Sequence, residues 1–275
     1  MLTTLLLCAM ASLVPVGGQD LAGSSDQKPV RKPFDASKWR LVWRDEFDKG
    51  DGPNQEFWTY EEGYVRNREV QYYTKDRREN ARIEKGILIL EARKDDWQGR
   101  PVTSASIHTS RKRPFLYGRI EARAKVPTGR GTWPAIWTLG ENIREVGWPK
   151  CGEIDILENV GFDPSKVHAN VHTDAYNHTK GNGKGNNIDV GKPWEGFHIY
   201  AVEWFPDRIE FFFDDLRYFV YRKESVDPAV WPFAQPHSLK LNLAIGGAWG
   251  GSKGVDDAIY PSRFEVDYVR YYEAR

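Results

Sequence analysis

The sequence predicts an all-β protein, a curved β-sandwich of jelly-roll type. From Trp39 onward, short apolar segments alternate with turn residues, and no segment keeps a helical period over three turns. So many strands around one core require two sheets packed face to face. The chain that follows the N-terminal segments has the length of one large all-β domain.

The N-terminus, residues 1–18, is predicted to be a secretory signal peptide. Residues 2–14 are nearly all apolar, and the small residues Gly17 and Gly18 follow shortly after. The apolar run is too short to cross a bilayer as a helix. We therefore expect secretion to the periplasm or the extracellular space after signal cleavage, with no membrane span.

The next segment, residues 19–33, is polar and contains Gly, Ser and Pro without periodicity, so it is predicted to be a disordered leader. The folded domain is expected over residues 34–275. Because Cys8 lies in the signal peptide, Cys151 would be the only cysteine of the mature chain. No internal disulfide is then available, and stability must come from a core.

Within the domain, strands are predicted where alternating or apolar runs lie between turn residues. Residues 119–126 alternate charged and apolar side chains, so one face is predicted to be buried and the other exposed to solvent. The remaining strands are predicted at 83–92 (a pair bent at 84–86), at 197–204, 208–213 and 216–221 (a meander), and at 239–245 and 264–272. Longer irregular stretches at 51–67, 141–150 and 174–194 are candidates to line a groove.

The composition favours a neutral ligand. The 39 basic residues balance the 39 acidic ones, which removes the electrostatic signature of a nucleic-acid-binding protein. Aromatic residues make up 13% of the chain and include 11 Trp, whose flat indole faces suit the apolar faces of sugar rings. The alternative is that these tryptophans belong to the core.

Three carboxylates lie inside an otherwise apolar, β-prone stretch. In an extended strand, Glu153 and Asp155 point to one face with Cα atoms about 6.5 to 7 Å apart. Glu158 would face the other way, unless a one-residue β-bulge within Ile156 and Leu157 restores the register. With that bulge, three acids line one groove.

Clustered acids repel one another, which raises the pKa of at least one of them. A protonated carboxyl group is then available beside an ionised one. Glycoside hydrolysis uses such a pair of carboxyl groups. The alternative is the polar face of an edge strand, with acids that serve solubility.

Several motifs in a fixed order resemble one enzyme family. They lie at residues 43–47, 69–74, 117–123, 133–137, 152–161 and 241–247. The chain resembles glycoside hydrolase family sixteen, in its laminarinase-like endo-β-1,3-glucanase branch. The resemblance implies a substrate cleft on the concave face of the jelly roll. It also implies that Glu153 is the nucleophile, Glu158 the acid/base, and Asp155 the group between them that tunes Glu153.

The resemblance carries over further residues to the substrate cleft. It implies that Trp133, Trp137 and Trp148 flank glucose rings and that Trp249 is a further platform. It also implies the substrate contacts Asn67, Glu69 and His172, the first two on hydroxyls of the non-reducing side and the last near the acid/base. Packing inside remains open for at least one of Trp133 and Trp137. The sequence departs from the pattern at Ser106, where many relatives carry Arg.

A calcium site is the one metal site that the resemblance implies. Its matching positions are Glu46, the carbonyl of Gly86 and Asp267, on the convex face. Two carboxylates and a backbone oxygen suit a hard cation. The ion would be structural, because the chemistry needs no cofactor, and the alternative is that both acids merely lie on the surface.

The function expected from the sequence is therefore a secreted, retaining endo-β-1,3-glucanase that acts as a monomer on β-glucan polysaccharide. One alternative keeps the mechanism and changes the polymer to mixed-linkage β-1,3-1,4-glucan or to an agar- or carrageenan-type galactan. The zero net charge argues against sulfated galactans. The other alternative is a non-catalytic glucan-binding lectin, which needs no paired carboxylates.

Overall fold

The computed structural model describes residues 28–275, so the predicted signal peptide and Cys8 lie outside the described residues. The strands are β1 (Val30–Arg31), β2 (Trp39–Asp45), β3 (Thr59–Tyr60), β4 (Tyr72–Tyr73), β5 (Ala81–Glu84), β6 (Ile87–Trp97), β7 (Arg100–Ser104), β8 (Ser106–His108), β9 (Gly118–Lys125), β10 (Thr132–Gly140), β11 (Glu153–Glu158), β12 (Lys166–His172), β13 (Lys184–Asp189), β14 (His198–Trp204), β15 (Arg208–Phe213), β16 (Leu216–Arg222), β17 (His237–Ile245) and β18 (Ser262–Ala274). The helical segments are the single α-helical turn α1 (Ile143–Val146) and the 3-10 turns Ala36–Lys38, His178–Lys180 and Asp257–Ile259. Between residues 28 and 275, no helix has the length and apolar character needed to cross a bilayer.

The strands form two sheets, as the sandwich prediction requires. One sheet has eleven strands in the order β1-β16-β15-β14-β9-β18-β6-β7-β4, with β2 beside β18 and β5 beside β6. The other has seven strands in the order β13-β12-β11-β10-β17-β8-β3. Neighbours β10, β11, β12 and β17 at the centre of this sheet are antiparallel. The all-β sandwich is therefore confirmed.

The main core lies between the two sheets. Ile136 of β10 and Ile154 of β11 enter it from the seven-stranded sheet, and Ala122 of β9 and Val202 of β14 enter it from the other sheet. Burial of these apolar faces is the dominant favourable term in folding. A separate small cluster, which includes Trp137, lies on the opposite side of β10. We call that side of the seven-stranded sheet the cleft face.

The predicted meander and the predicted strand pair at 83–92 are confirmed. β14, β15 and β16 pair antiparallel in sequence order, with turns at residues 205–207 and 214–215. β5 and β6 form a hairpin around Lys85 and Gly86, both of which have positive φ. Local turn chemistry was sufficient for these predictions, because hairpin partners are adjacent in the chain.

The prediction of a disordered leader is wrong for its last residues. Val30 and Arg31 form β1, which pairs with β16 at the edge of the eleven-stranded sheet. The backbone of Lys32 continues this contact by donating to the carbonyl of Asp215 over 2.7 Å. A free sheet edge binds any extended segment that reaches it, whatever the polarity of its side chains.

The prediction of a solvent-exposed charged face on β9 is wrong for the first half of the strand, whereas Arg123 and Lys125 in the second half are partly exposed. Arg119 and Glu121 are only 3% and 4% exposed. The guanidinium of Arg119 binds Glu121 at 2.8 Å and Glu203 at 3.2 Å, and it lies 4.8 Å from the ring centre of Phe34. The segment before β2 thus covers an ionic layer that the alternation pattern alone assigns to solvent.

The stretch at residues 174–194, predicted to be irregular, contains regular structure. It includes the 3-10 turn His178–Lys180 and the strand β13, which pairs with β12 over six residue pairs. The Gly and Asn residues there make poor intrinsic strand formers. Pairing with β12 supplies the missing stabilisation. The seven-stranded sheet therefore has one more strand at this edge than the sequence indicates.

We expect the buried ionic layer on β9 to matter for stability. Arg119→Ala would leave Glu121 and Glu203 buried without their shared cation, and should lower the free energy of unfolding by about 3 kcal/mol. The measurement is chemical denaturation. Arg40→Ala removes an exposed partner of Glu273 and should cost only about 0.5 kcal/mol. Equal losses in the two variants would contradict the assignment.

Candidate active site

A β-bulge in β11 places the three acids on the cleft face. Asp155 pairs with Asn170 and Glu158 pairs with His168, so Ile156 and Leu157 together oppose a single residue of β12. Both apolar side chains enter the core between the sheets. The register therefore resets, and Glu158 emerges on the same side as Glu153 and Asp155. The predicted bulge is confirmed.

A glycine is required on each side of this strand for steric reasons. A Cβ at Gly161 would lie 1.8 Å from the carbonyl oxygen of Gly129, which no side chain tolerates. Gly152 has a φ of +78°, in the left-handed region that favours glycine, and its Cβ would meet Pro232 at 2.9 Å. These positions hold β11 tightly against its surroundings at both ends.

Glu153 stands at the start of β11, partly open to solvent. The indole Nε1 of Trp148 donates a hydrogen bond to its Oε2 over 2.8 Å. The imidazole Nε2 of His172 lies 3.8 Å from its Oε1. These contacts orient the carboxylate while leaving it accessible, with side-chain exposure of 15%.

Asp155 is nearly inaccessible, with 3% exposure. Its burial, together with the charge of Glu153, raises its pKa well above the ordinary value for an aspartate. A protonated Asp155 donates a hydrogen bond to Glu153 and so shares one negative charge between two carboxyl groups. The role proposed for Asp155 from the resemblance fits this geometry.

His172 lies on the cleft face beside Glu153 and Asp155. It pairs with Glu153 across β11 and β12, and its Nε2 lies 3.2 Å from Oδ2 of Asp155. Glu158 pairs with His168, and His172 is close enough for its charge to lower the pKa of Glu158. The position near the acid/base that the resemblance implies for His172 agrees with this geometry.

Glu158 is held by two hydrogen bonds from neighbouring strands. Trp133 Nε1 donates to its Oε1 over 3.1 Å, and Asn170 Nδ2 donates to its Oε2 over 2.8 Å. Burial raises the pKa of Glu158 to about 8, with a further contribution from Asp155 when that group is ionised. Glu158 therefore keeps a proton at neutral pH, as a general acid must.

One group of three side chains could in principle hold a metal ion among the described residues. The ligand atoms of Glu153, Asp155 and His172 lie within 4.8 Å of one another. The raised pKa of Asp155 and its hydrogen bond to Glu153 account for the same cluster through proton sharing. Proton sharing between Asp155 and Glu153 is thus one explanation for the close approach of these groups.

Aromatic side chains line the cleft on the side of Glu158. Trp133 and Trp249 meet edge to face with ring centres 5.6 Å apart, and His168 packs against Trp249 at 4.9 Å. Trp148 marks the opposite end, 36% exposed and 5.2 Å from the ring of His178. Trp133 and Trp148 therefore each contact one of the acids, and Trp249 packs behind Trp133 and His168.

Trp137 is the tryptophan for which the packed alternative applies. It is 8% exposed, and its Nε1 donates to Oδ1 of Asn242 over 2.7 Å. Arg66 and Lys240 lie over its ring at 5.0 and 4.8 Å. Although it faces the cleft, two cations cover it, so little of the ring is free to stack on a sugar.

Asn67 and Glu69 lie together on the same face. Glu69 accepts hydrogen bonds from Gln71 at 2.7 Å, from the Tyr73 hydroxyl at 3.1 Å and from Asn67 at 3.2 Å. Burial raises the pKa of Glu69. Ser106 is fully buried nearby, and its hydroxyl donates to Glu61 over 2.6 Å.

The residues of the predicted calcium site lie near one another in the eleven-stranded sheet but have other partners. Asp267 lies in β18 next to Val266, which pairs with Leu88, so the hairpin containing Gly86 is close by. Both oxygens of Glu46 bind Arg270, at 2.8 and 2.9 Å. Asp267 binds Arg123 at 2.5 Å. The backbone arrangement fits the prediction, whereas both carboxylates are already neutralised by arginines.

Sequence reasoning missed several cleft residues. Asn170 and His168 alternate with apolar residues along β12, as the acids do along β11. This pattern could have indicated that the polar residues of both strands lie on one face of the sheet. Arg66 and Lys240 gave no such signal. Their positions depend on which strands become neighbours across more than a hundred residues of chain.

Comparison with known proteins agrees with the geometry. The profile described as glycosyl hydrolases family 16 matches residues 68–270. A beta-glucanase of Rhodothermus marinus is 48% identical over 246 residues, which cover 86% of each chain.

Solved structures show the same architecture. The laminarinase from Rhodothermus marinus superposes with a TM-score of 0.83 at 47% identity, covering 86% of this chain and 98% of the other. The endo-beta-1,3-glucanase from Pyrococcus furiosus superposes with a TM-score of 0.79 at 37% identity, covering 90% and 98%. With its paired acids on a bulged strand of a jelly roll, the chain belongs to glycosyl hydrolases family 16.

Proposed function

We propose that the protein is a secreted endo-β-1,3-glucanase that cleaves laminarin-type glucans with retention of anomeric configuration. The observation that carries the proposal is the bulge at Ile156 and Leu157, which brings Glu158 to the face of Glu153 with Asp155 between them. The names of the similar proteins, a beta-glucanase, a laminarinase and an endo-beta-1,3-glucanase, support β-1,3-glucan as the substrate.

In the first step, Glu153 attacks the anomeric carbon of the glucosyl residue while Glu158 gives its proton to the glycosidic oxygen. The bond between that carbon and that oxygen breaks, and the fragment on the reducing side leaves as an alcohol. The product is a glycosyl ester of Glu153. Trp148 and protonated Asp155 hold the attacking carboxylate through hydrogen bonds.

In the second step, Glu158 is a carboxylate and acts as base. It takes a proton from water, whose oxygen attacks the anomeric carbon and displaces Glu153. Glu158 is then protonated again and ready for another cycle. Two inversions give net retention, provided that the two carboxyl groups approach to roughly 5 to 5.5 Å and leave no space for a water between them.

The alternatives have less support. A lectin needs aromatic platforms and hydrogen bonds, but not a buried acid whose pKa is raised to about 8 beside two further carboxyl groups. An enzyme for mixed-linkage glucan or for a galactan would use the same acids. Only analysis of the products distinguishes these alternatives from a β-1,3-glucanase. Export remains part of the proposal on the grounds of the N-terminal sequence, and a monomeric state is proposed with it.

The decisive experiment follows the products by proton NMR. Purified protein is incubated separately with laminarin, lichenan and agarose. We expect fast cleavage of laminarin, and the β-anomer of the new reducing end should appear before mutarotation. Early appearance of the α-anomer would rule out direct attack by Glu153, and turnover of agarose alone would overturn the assignment of substrate.

The same experiment includes a matched variant. Glu153→Gln keeps the size and the hydrogen bond from Trp148 but removes the nucleophile, so laminarin should still bind while turnover falls by several orders of magnitude. Circular dichroism checks that the fold is intact. Activity within about tenfold of the parent would remove Glu153 from the mechanism.

The raised pKa of Glu158 predicts an alkaline limit to activity. The group must be protonated in the free enzyme, so kcat/KM should fall as pH rises through about 8. The hydrogen bond from Asn170 stabilises the charged form. Asn170→Ala should therefore raise the pKa and move this limit to higher pH. A limit that stays in place, or moves down, would contradict the assignment of Glu158 as the acid.

We also propose a structural calcium ion between Glu46, the carbonyl of Gly86 and Asp267. A ligand that binds only the folded state stabilises it, so a chelator should lower the melting temperature and added calcium should restore it. The competing arrangement is the one in which Arg270 and Arg123 neutralise the two acids permanently. No thermal shift in protein shown to be metal-free would favour the arginines and exclude the ion.

A further inference from the structure

A pair of cations lies on the cleft face beside Trp137, two strands from Asp155. Arg66 and Lys240 both lie over the ring of Trp137, at 5.0 and 4.8 Å from its centre. Their side chains are only 19% and 11% exposed. Cations at such depth are uncommon unless they are paired or contact a ligand.

Glu61 holds the two cations in place. Its Oε1 binds the ammonium of Lys240 at 2.5 Å, and its Oε2 accepts from the Ser106 hydroxyl and from Nη2 of Arg66. The small side chain of Ser106 leaves the carboxylate of Glu61 room to lie on this face. Ser106 therefore contributes a hydroxyl to the cluster, and Arg66 brings a guanidinium from a different segment.

This cluster has more donors than acceptors. One carboxylate serves a guanidinium, an ammonium and a hydroxyl, and Nη1 of Arg66 is buried with no hydrogen-bond partner among residues 28–275. Burial lowers the pKa of Lys240, whose ammonium is paired with Glu61, and the charge of Glu153 also acts on it. A buried donor without a partner costs stability, and such groups in native proteins usually have a reason beyond folding.

The strand register places the cluster at a distance from the cleavage point. Asp155 pairs with Trp137, and Trp137 pairs with Lys240 on the next strand. Two strand spacings separate Asp155 from Lys240, which is roughly 10 Å. A single hexose does not bridge that distance, so a sugar over the cluster lies beyond the residue that Glu153 attacks.

We propose that Arg66 and Lys240 form a remote subsite that donates hydrogen bonds to oxygen atoms of a glucosyl residue, and thereby make efficient cleavage depend on substrate length. This inference rests on the proposed function as a β-1,3-glucanase. Sugar hydroxyl and ring oxygens can accept from the parts of the guanidinium and the ammonium that stay exposed to the cleft. Binding energy gained there acts at the reaction centre only when the chain is long enough to reach both places.

The test compares a series of substrates with a pair of variants. Values of kcat/KM are measured for laminarioligosaccharides from laminaritriose to laminariheptaose with the parent, Arg66→Ala and Lys240→Met. Each variant should lose about tenfold in kcat/KM on the longest substrates, as expected for one hydrogen bond to a charged donor. The shortest cleavable substrate should change by less than about twofold, because it does not reach the cluster.

Arg68→Ala is the matched control, since Arg68 lies two residues from Arg66 and is exposed. It should behave as the parent on every substrate. Equal losses on short and long substrates would mean that Arg66 and Lys240 only support the fold, and unchanged values throughout would exclude the subsite. A melting temperature measured for each variant separates loss of folded protein from loss of binding.

The proposed function and the subsite fail in different ways. If the parent hydrolyses no β-1,3-glucan, the proposed function is wrong regardless of the variants. Calorimetric binding of laminarihexaose to the Glu153→Gln protein, with and without Arg66→Ala, then tests the subsite by itself. Affinity that is independent of Arg66 would overturn it.

Discussion

The site depends on one extra residue in β11. Without the bulge, a strand that buries Ile154 and Ile156 would send Leu157 to the cleft and Glu158 into the core. With it, both apolar side chains are buried and the third acid reaches the cleft. Burial of apolar side chains in the core thus stabilises the bulge, because regular pairing would expose Leu157 and bury the carboxylate of Glu158.

The same strand shows how burial separates carboxyl groups of similar intrinsic acidity. Asp155 and Glu158 lie deep enough that their pKa values are raised, while Glu153 receives hydrogen bonds at the open end of the row. Packing three acids together costs stability, and the large apolar core between the sheets offsets that cost. The polar cleft face consequently lowers the stability of the fold, and the protein remains folded because the core is large.

Much of the fold was readable from the sequence, because its signals are local. The meander β14 to β16 and the hairpin of β5 and β6 follow from turn residues between apolar runs. Among the features that were not readable are the strand at Val30–Arg31 and the burial of Arg119. Both depend on which other segment packs against a sheet edge or a sheet face. Alternation along a single strand carries no information about that segment.

The sequence by itself determined the all-β architecture, the row of acids and the need for a bulge, since period-two alternation and the parity of Glu153, Asp155 and Glu158 are properties of one segment. Only the tertiary structure decided that His172 lies beside Glu153 and that Arg66 and Lys240 cover Trp137. The physical reason is that these contacts join strands far apart in the chain. Their register is set by packing of the whole sandwich, so no local pattern encodes it.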